Sequence, residues 1–433
     1  MKKFIIFAIL MTVTTPLVAQ SGTNSPYSQY GLGALCEPAT GFNRGMNGLG
    51  IAFREHNQIN ITNPASYSVI DSLSFIFDVG MSGQLTNFEQ NGKRLNAKTA
   101  NIEYIVAGFR AARHLGVTFG ILPYTTIGYS YSNTEKIDRQ NTGSEVAYTN
   151  TYSGSGGLHQ AYVGAGWEPL KGLSIGANVG YLWGSMNRSI VNSYSNAAVN
   201  TLAKYYTASA KSYKADFGLQ YKLRLTGKDY VSIGVTYGLG HRLDADPTCW
   251  VISTNTQTSV SDTTKYVVEK GLEIPTTYGA GIMYNHAEKW KVGFDYQQQQ
   301  WAQIDFPVYS VENEIPQYTL RSGYYKDRQK FTFGGEYCQN EMGRKFIDRI
   351  RYRAGVSYST PYLYINGQDG PKELSISAGF GIPIMNKNNY RSILNISGQW
   401  VQQEAKGLIK ENTFRINVGL TFNERWFAKW KVE

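Results

Sequence analysis

Hydrophobic and polar residues alternate one by one along most of this chain. Leu73, Phe75, Phe77, Val79 and Met81 share one parity, while Ser74, Asp78, Gly80 and Ser82 hold the other, with Ile76 the exception. Val231, Ile233, Val235, Tyr237 and Leu239 repeat the pattern around Ser232, Gly234, Thr236 and Gly238. Phe414, Ile416, Val418, Leu420 and Phe422 repeat it again around Arg415, Asn417, Gly419 and Thr421. Successive side chains on a strand point to opposite faces, so each segment carries one apolar and one wet face.

One such strand fits any antiparallel sheet with a solvated face. Here the segments follow one another with little chain between them to cover the apolar faces, so lipid is the natural cover. A sheet in lipid cannot keep an open edge, because each unsatisfied backbone group there costs several kcal/mol. It must close. The pattern therefore predicts an all-β fold, a transmembrane antiparallel β-barrel of about 14 strands over residues 72–422, with the first strand near 72–82 and the last near 412–422. Long connections, among them 83–99, 242–275 and 303–327, alternate with short ones such as 113–114, 169–171, 287–288 and 339–348. Long outer loops and short periplasmic turns are the habit of outer-membrane barrels. Reading 316–326 as a further strand would make the count odd, so it is placed in a loop. Trp183, Trp290, Trp301, Trp400 and Trp426 fall near strand ends, where indole rings suit the headgroup level.

The N-terminus changes the picture from membrane protein to exported one. Lys2 and Lys3 precede an apolar run from Phe4 to Val13, and small residues lead to a cut after Ala19, so residues 1–19 read as a signal peptide. Cys36 as a lipid-anchor cysteine is the weaker alternative, since it follows Gly33-Ala34-Leu35 well beyond that cut. No apolar stretch long enough for a membrane helix follows. Charged residues make up 17% against 14% aromatic, with 32 Tyr and 45 Gly, which fits a barrel better than a soluble sandwich or propeller. Without the leader lysines the chain keeps 40 basic and 32 acidic residues, a net of +8. Two uses compete for that charge: affinity for anionic membrane lipids or lipopolysaccharide, or basic side chains lining the lumen. No nucleic-acid motif accompanies it. Cys36, Cys249 and Cys338 are too few and too widely spaced for a disulfide framework or a metal signature.

Residues 20–71 do not alternate. They carry Gly31-Leu32-Gly33, Gly48-Leu49-Gly50 and the run Asn60-Ile61-Thr62-Asn63-Pro64-Ala65-Ser66. So short a segment buries little core of its own, and it directly precedes the first strand. The simplest placement is in the lumen as a plug, or hatch, with a mobile periplasmic tail as the alternative. Beyond the last strand, residues 423–433 form a C-terminal tail on the periplasmic side.

The run Gly45-Met46-Asn47-Gly48-Leu49-Gly50-Ile51-Ala52 followed by Asn63-Pro64-Ala65-Ser66 resembles the plug of the FadL/TodX family of outer-membrane transporters of long-chain fatty acids and aromatic hydrocarbons. Tyr325-Lys326-Asp327 before Lys330-Phe331-Thr332-Phe333-Gly334-Gly335-Glu336-Tyr337, and Arg353-Ala354-Gly355-Val356-Ser357-Tyr358, resemble its late strands. The resemblance implies a fourteen-stranded barrel with an N-terminal hatch, in the outer membrane of a Gram-negative envelope. It also implies passive passage of a hydrophobic small-molecule ligand through a lateral gap in the wall. The plug residues it singles out are Gly48, Gly50, Asn63, Pro64 and Ala65. The tail with Trp426, Phe427 and Trp430, and the polar loop 242–275, depart from it. They favour the alternative, a non-transporting barrel subunit of a larger outer-membrane secretion or assembly complex, with an outer-membrane protein as partner.

On the wet face Arg351, Arg353, Asp295 and Glu336, together with Lys222, Arg224, Lys291 and Asp216, are the lumen-facing candidates, expected to bond the plug or each other because buried charges persist only when paired. An enzyme is not expected. Of five histidines His241, followed by Asp244 and Asp246, gives the one cluster that could be catalytic or bind a cation; no serine beside it falls in a G-x-S-x-G motif, and no phosphate-binding loop, dinucleotide fingerprint or zinc spacing occurs. No cofactor and no metal is expected.

Overall fold

The computed structural model describes residues 23–137, 146–386 and 389–425. The signal-peptide reading, residues 1–19, lies outside them, as does the tail beyond Arg425 with Trp426. Fourteen strands form the wall: β1 (Ser74–Gln90), β2 (Lys93–Ala112), β3 (Leu115–Ile137), β4 (Val146–Leu170), β5 (Leu173–Tyr194), β6 (Thr201–Arg224), β7 (Asp229–Gly238), β8 (Thr277–His286), β9 (Trp290–Gln299), β10 (Arg328–Tyr337), β11 (Arg351–Ser359), β12 (Lys372–Asn386), β13 (Asn389–Glu404) and β14 (Lys410–Arg425). Each runs antiparallel to the next. β14 returns to β1 over Ser74↔Arg425 to Glu89↔Lys410, which closes the barrel.

The burial pattern is that of a barrel and inverts that of a soluble protein. Met81 is 57% exposed and Phe333 54%, whereas Asp78 is fully buried. Outward positions form an apolar band, and inward positions such as Ser82, Gln220, Thr332 and Asn417 are polar and buried. An apolar surface this extensive needs lipid to cover it.

Several expectations change. The strands overshoot the lipid band: β1 and β2 continue through the expected 83–99 loop to a turn at residues 91–92. The added length carries Thr86, Asn87 and Asn96, so it lacks the apolar parity by which strands were found. The 303–327 connection holds a hairpin, Phe306–Glu312 with Ile315–Arg321, outside the wall, and 242–275 holds another, Thr248–Thr254 with Ser261–Val267. β7 ends at Gly238, and the Thr248–Thr254 strand pairs with the first seven residues of β6, Thr207 to Thr201. Trp301 is fully buried beneath the long-loop end, its ring 5.3 Å from those of Tyr325 and Tyr362, and is no headgroup anchor. At the other end, β14 runs three residues past the predicted limit, with Asn423 paired to Ile76.

Candidate functional site: the filled lumen and a split in the wall

The non-alternating segment lies against the wet inner face of the wall. Its anchors follow from its sequence. Asn63 caps the 3-10 turn Pro64–Val69: its Oδ1 accepts from the Ala65 amide at 3.0 Å and its Nδ2 donates to the Ile51 carbonyl at 2.7 Å. Proline at the first helical position has no N–H to lose there. The wall makes room for this turn with glycines. A Cβ on Gly166 or Gly176 would lie 2.4 Å from Pro64 backbone atoms, and one on Gly218 2.0 Å from the Asn63 Oδ1. Gly48 has a φ of +85°, which glycine adopts without strain. Gly50 then presents its amide, with that of Ile51, to Asp295 Oδ2 at 2.7 and 2.9 Å. The plug-motif residues Gly48, Gly50, Asn63, Pro64 and Ala65 lie against the inner wall, from β10 beside Gly48 to β4–β6 beside Asn63, Pro64 and Ala65, and Asp295 holds the amides of Gly50 and Ile51.

Three of the other predicted lumen charges, Lys291, Arg351 and Arg353, converge on Glu336. Arg351 Nη1 lies 2.8 Å and Lys291 Nζ 3.3 Å from its Oε1, and Arg353 Nε lies 2.7 Å from its Oε2. Glu55, from the inner segment, joins the same cluster by ion pairs to Lys291 and, at 3.2 Å, to Arg351. Arg351 also reaches Glu341 at 3.0 Å. Except for Glu341, every side chain here is at most 6% exposed. Burial alone would raise the Glu55 carboxyl, but the cations of Lys291 and Arg351 outweigh it and hold it below the usual carboxylate range. Three cations face three carboxylates, so the cluster is balanced only with Glu55 in place.

Sequence reasoning placed the wall half of this network and missed its inner half, Glu55. Nor did it find Arg44–Glu103 and Arg54–Glu168, each 2.9 Å, or Glu37–Lys330. The signal available was simple: a segment with Glu37, Arg44, Arg54 and Glu55 inside a wall of fixed charges needs counterions. Asp216 pairs instead with Lys214 on its own strand, and Lys222 lies over the Tyr230 ring at 3.5 Å in a vestibule at the short-turn end, which Arg224 also lines.

The wall is split between β2 and β3. β2 and β3 pair only from Ile105↔Ile121 to Ala112↔Leu115. Above that, β2 stays with β1 and β3 with β4, and the described pairings show no partnership between the two. β3 bends at a register shift between Pro123 and Thr125. Opposite the bend, Gly156 and Gly157 have φ of +114° and +137°, and a Cβ on Gly157 would lie 2.3 Å from the Thr125 carbonyl oxygen, so the backbones approach as only glycine allows. The inner segment lies along the split. Ala34 and Leu35 add a short strand to β3, Cys36 N donates to the Tyr124 carbonyl at 3.0 Å, and Ser28 and Gln29 bond Gly128 and Tyr131. Asn24 reaches across to the Lys98 carbonyl of β2 at 3.3 Å.

A cavity of about 1010 Å³ lies behind the split and extends to Trp183 and His159 beyond the bend. Its inner lining includes Glu37, Arg44, Glu103, Glu373, Glu411 and Arg415. Apolar side chains, among them Tyr27, Leu35, Ile102, Tyr362 and Leu363, line it beside these charged groups, so the chamber is mixed in character.

The His241 cluster singled out in the sequence does not come together. His241 Nε2 lies 2.9 Å from Ser212 Oγ and its ring stacks on Tyr213, while Asp246 accepts from the Lys270 amide, so the histidine and the acids near it in sequence do not meet. No group of metal-ligating side chains occurs among those residues.

A family model described as BamG matches residues 1–433. The chain belongs to the BamG family. No curated protein matches it in sequence. Among solved structures it is similar to the Pseudomonas putida toluene transporter TodX, with a TM-score of 0.62 at 15% identity over 92% of this chain and 100% of that one. The Ralstonia pickettii toluene transporter TbuX aligns with a TM-score of 0.58 at 16% identity over 90% and 99%. A Pseudomonas aeruginosa FadL homologue gives 0.59 at 11% over 90% and 98%. At these identities the likeness is one of fold. This BamG-family chain has the FadL-type barrel that its motifs suggested, under a different family name.

Proposed function

We propose that this BamG-family barrel is a sealed, non-transporting subunit of a larger outer-membrane assembly. The observation that carries the reading is the locked lumen. The inner segment is tied to the wall by the buried Glu55–Glu336 cluster, by Asp295 and by the Asn63 turn, and the mixed chamber behind the wall split has charged groups such as Arg44, Glu103 and Arg415 in its lining. A conduit for hydrocarbons needs an apolar path, and charged groups along it would each have to be desolvated as the ligand passed. Apolar residues exposed by the hairpins at the long-loop end, Val260, Val311 and Ile315 at 59–66%, support a partner surface there. Gentle extraction from the native membrane followed by native mass spectrometry tests this: a stoichiometric protein partner is expected, and a lone barrel would overturn it.

A second reading has its own support. The β2–β3 split and its cavity occupy the place where a ligand could pass sideways between lumen and bilayer, and the similar structures named as toluene transporters favour uptake of a hydrophobic small molecule. Retention of a lipid-like ligand by the purified barrel, lost when the split is cross-linked, would favour this reading.

A further inference from the structure

The short-turn end of the barrel carries charge that neither reading uses. Arg113, Lys171, Lys228 and Lys289 each sit, exposed, in a different short turn, and Arg344 and Lys345 lie exposed in the longest one, residues 338–350. Apart from Glu424, exposed at the end of β14, the acids of the same rim are turned inward or engaged. Glu168 bonds Arg54, Glu341 bonds Arg351 and Asn57, Glu288 bonds Asn285, and Asp229 bonds His286. Asp348 lines the vestibule.

Apolar residues accompany the exposed cations. Leu170 is 67% exposed beside Lys171, Leu225 is 54% exposed near Lys228, and Trp290 is 52% exposed beside Lys289. In the 338–350 loop the helix α1 (Phe346–Arg349) exposes Phe346 at 48% and Ile347 at 68%. Phe346 precedes the vestibule-facing Asp348 by two residues, roughly 200° around a helix, so it is directed away from the lumen. Directly above, on the outer wall, the tilted rings of Trp290, Tyr337 and Tyr352 pack in series at 4.3 and 6.4 Å. The loop therefore continues the lipid-facing band past its aromatic edge.

We propose that this rim is a binding surface for anionic phospholipid in the periplasmic leaflet, with the 338–350 loop as its anchor. Phe346 and Ile347 enter the boundary between headgroups and acyl chains, and Arg344 and Lys345, with the cations of the other turns, hold lipid phosphates. Cations beside apolar groups at a bilayer surface gain from both attractions at once. The inference rests on the outer-membrane placement of the barrel, which cell fractionation tests separately.

The experiment uses the full barrel in vesicles of phosphatidylethanolamine with one-quarter phosphatidylglycerol. A nitroxide on Phe346→Cys reports depth, with the unsubstituted chain giving the background from Cys36, Cys249 and Cys338. Spin-labelled phosphatidylglycerol and phosphatidylcholine report lipid preference. The expected result is a label accessible to oxygen and shielded from a water-soluble nickel relaxant. Phosphatidylglycerol should be preferred, and the preference should fall roughly fivefold or more in Arg344→Glu/Lys345→Glu, one cation's attraction at a membrane surface being worth about that factor. Heat-modifiable migration on a gel verifies that the variant folds. A label open to the nickel relaxant, or a preference that the double reversal leaves unchanged, overturns the proposal. So does a label that is buried only in native membranes and cross-links to a protein there.

Discussion

Removing the Glu55 charge is the sharpest perturbation of the lock. Glu55→Gln keeps the shape of a side chain that is 2% exposed but leaves Lys291, Arg351 and Arg353 facing only Glu336 and the half-exposed Glu341. Breaking a buried ion pair from one side costs about 3–5 kcal/mol, because the remaining charge stays buried and unpaired. Spread over docking of the inner segment, this raises the population of its released state by roughly two to three and a half powers of ten. Hydrogen exchange across residues 48–60 should accelerate accordingly, and planar-bilayer recordings should show openings that the parent lacks. Lys291→Met in the same background should recover part of the loss, since it removes the orphaned cation. Acid should act like the mutation. The Glu55 carboxyl is held below its ordinary value by Lys291 and Arg351, so its contribution is present above the ordinary carboxylate range and is lost as pH falls through the lowered value. If Glu55→Gln exchanges as slowly as the parent and stays closed, the ion cluster does not hold the segment and the reasoning fails.

Further predictions follow from the other anchors. Asp295→Asn weakens two charge-assisted bonds from the Gly50 and Ile51 amides, and should cost about 1.5–3 kcal/mol in local protection, read as faster exchange of those two amides. Gly176→Ala places a Cβ within 2.4 Å of Pro64 and should destabilise by about 1–3 kcal/mol in thermal unfolding, whereas Gly83→Ala, which meets open space, should be nearly neutral. Equal effects would remove the argument that wall glycines admit the turn. The His56 imidazole is raised above its ordinary value chiefly by its bond to Asp71, 2.9 Å away, so its contribution is complete below that ordinary value and disappears as pH rises through the raised one. A proton titration of His56 by NMR that returns the value of a free imidazole would contradict the contact.

What was legible in the sequence is what parity encodes. Alternation located all fourteen wall strands because lipid on one side and water on the other impose it, and the same parity put Asp295, Glu336, Arg351 and Arg353 on the inner face. Parity is silent where both faces of a strand meet water, so the upper parts of β1 and β2 and the 306–321 hairpin read as loop. It is silent about partners too. Glu55 meets Lys291 across 236 positions, a pairing fixed by the closed barrel and not by any local pattern. The wall split left a faint trace: Pro123 cannot donate to a ladder, and Gly156-Gly157 opposite it marks a close backbone approach.

Native mass spectrometry of the barrel, gently extracted from its own membrane, tests the central claim most directly. The account predicts a stoichiometric protein partner and no hydrophobic ligand in the chamber behind the β2–β3 split. A barrel that emerges alone, carrying a bound lipid or hydrocarbon, would contradict it and make the split in the wall a route.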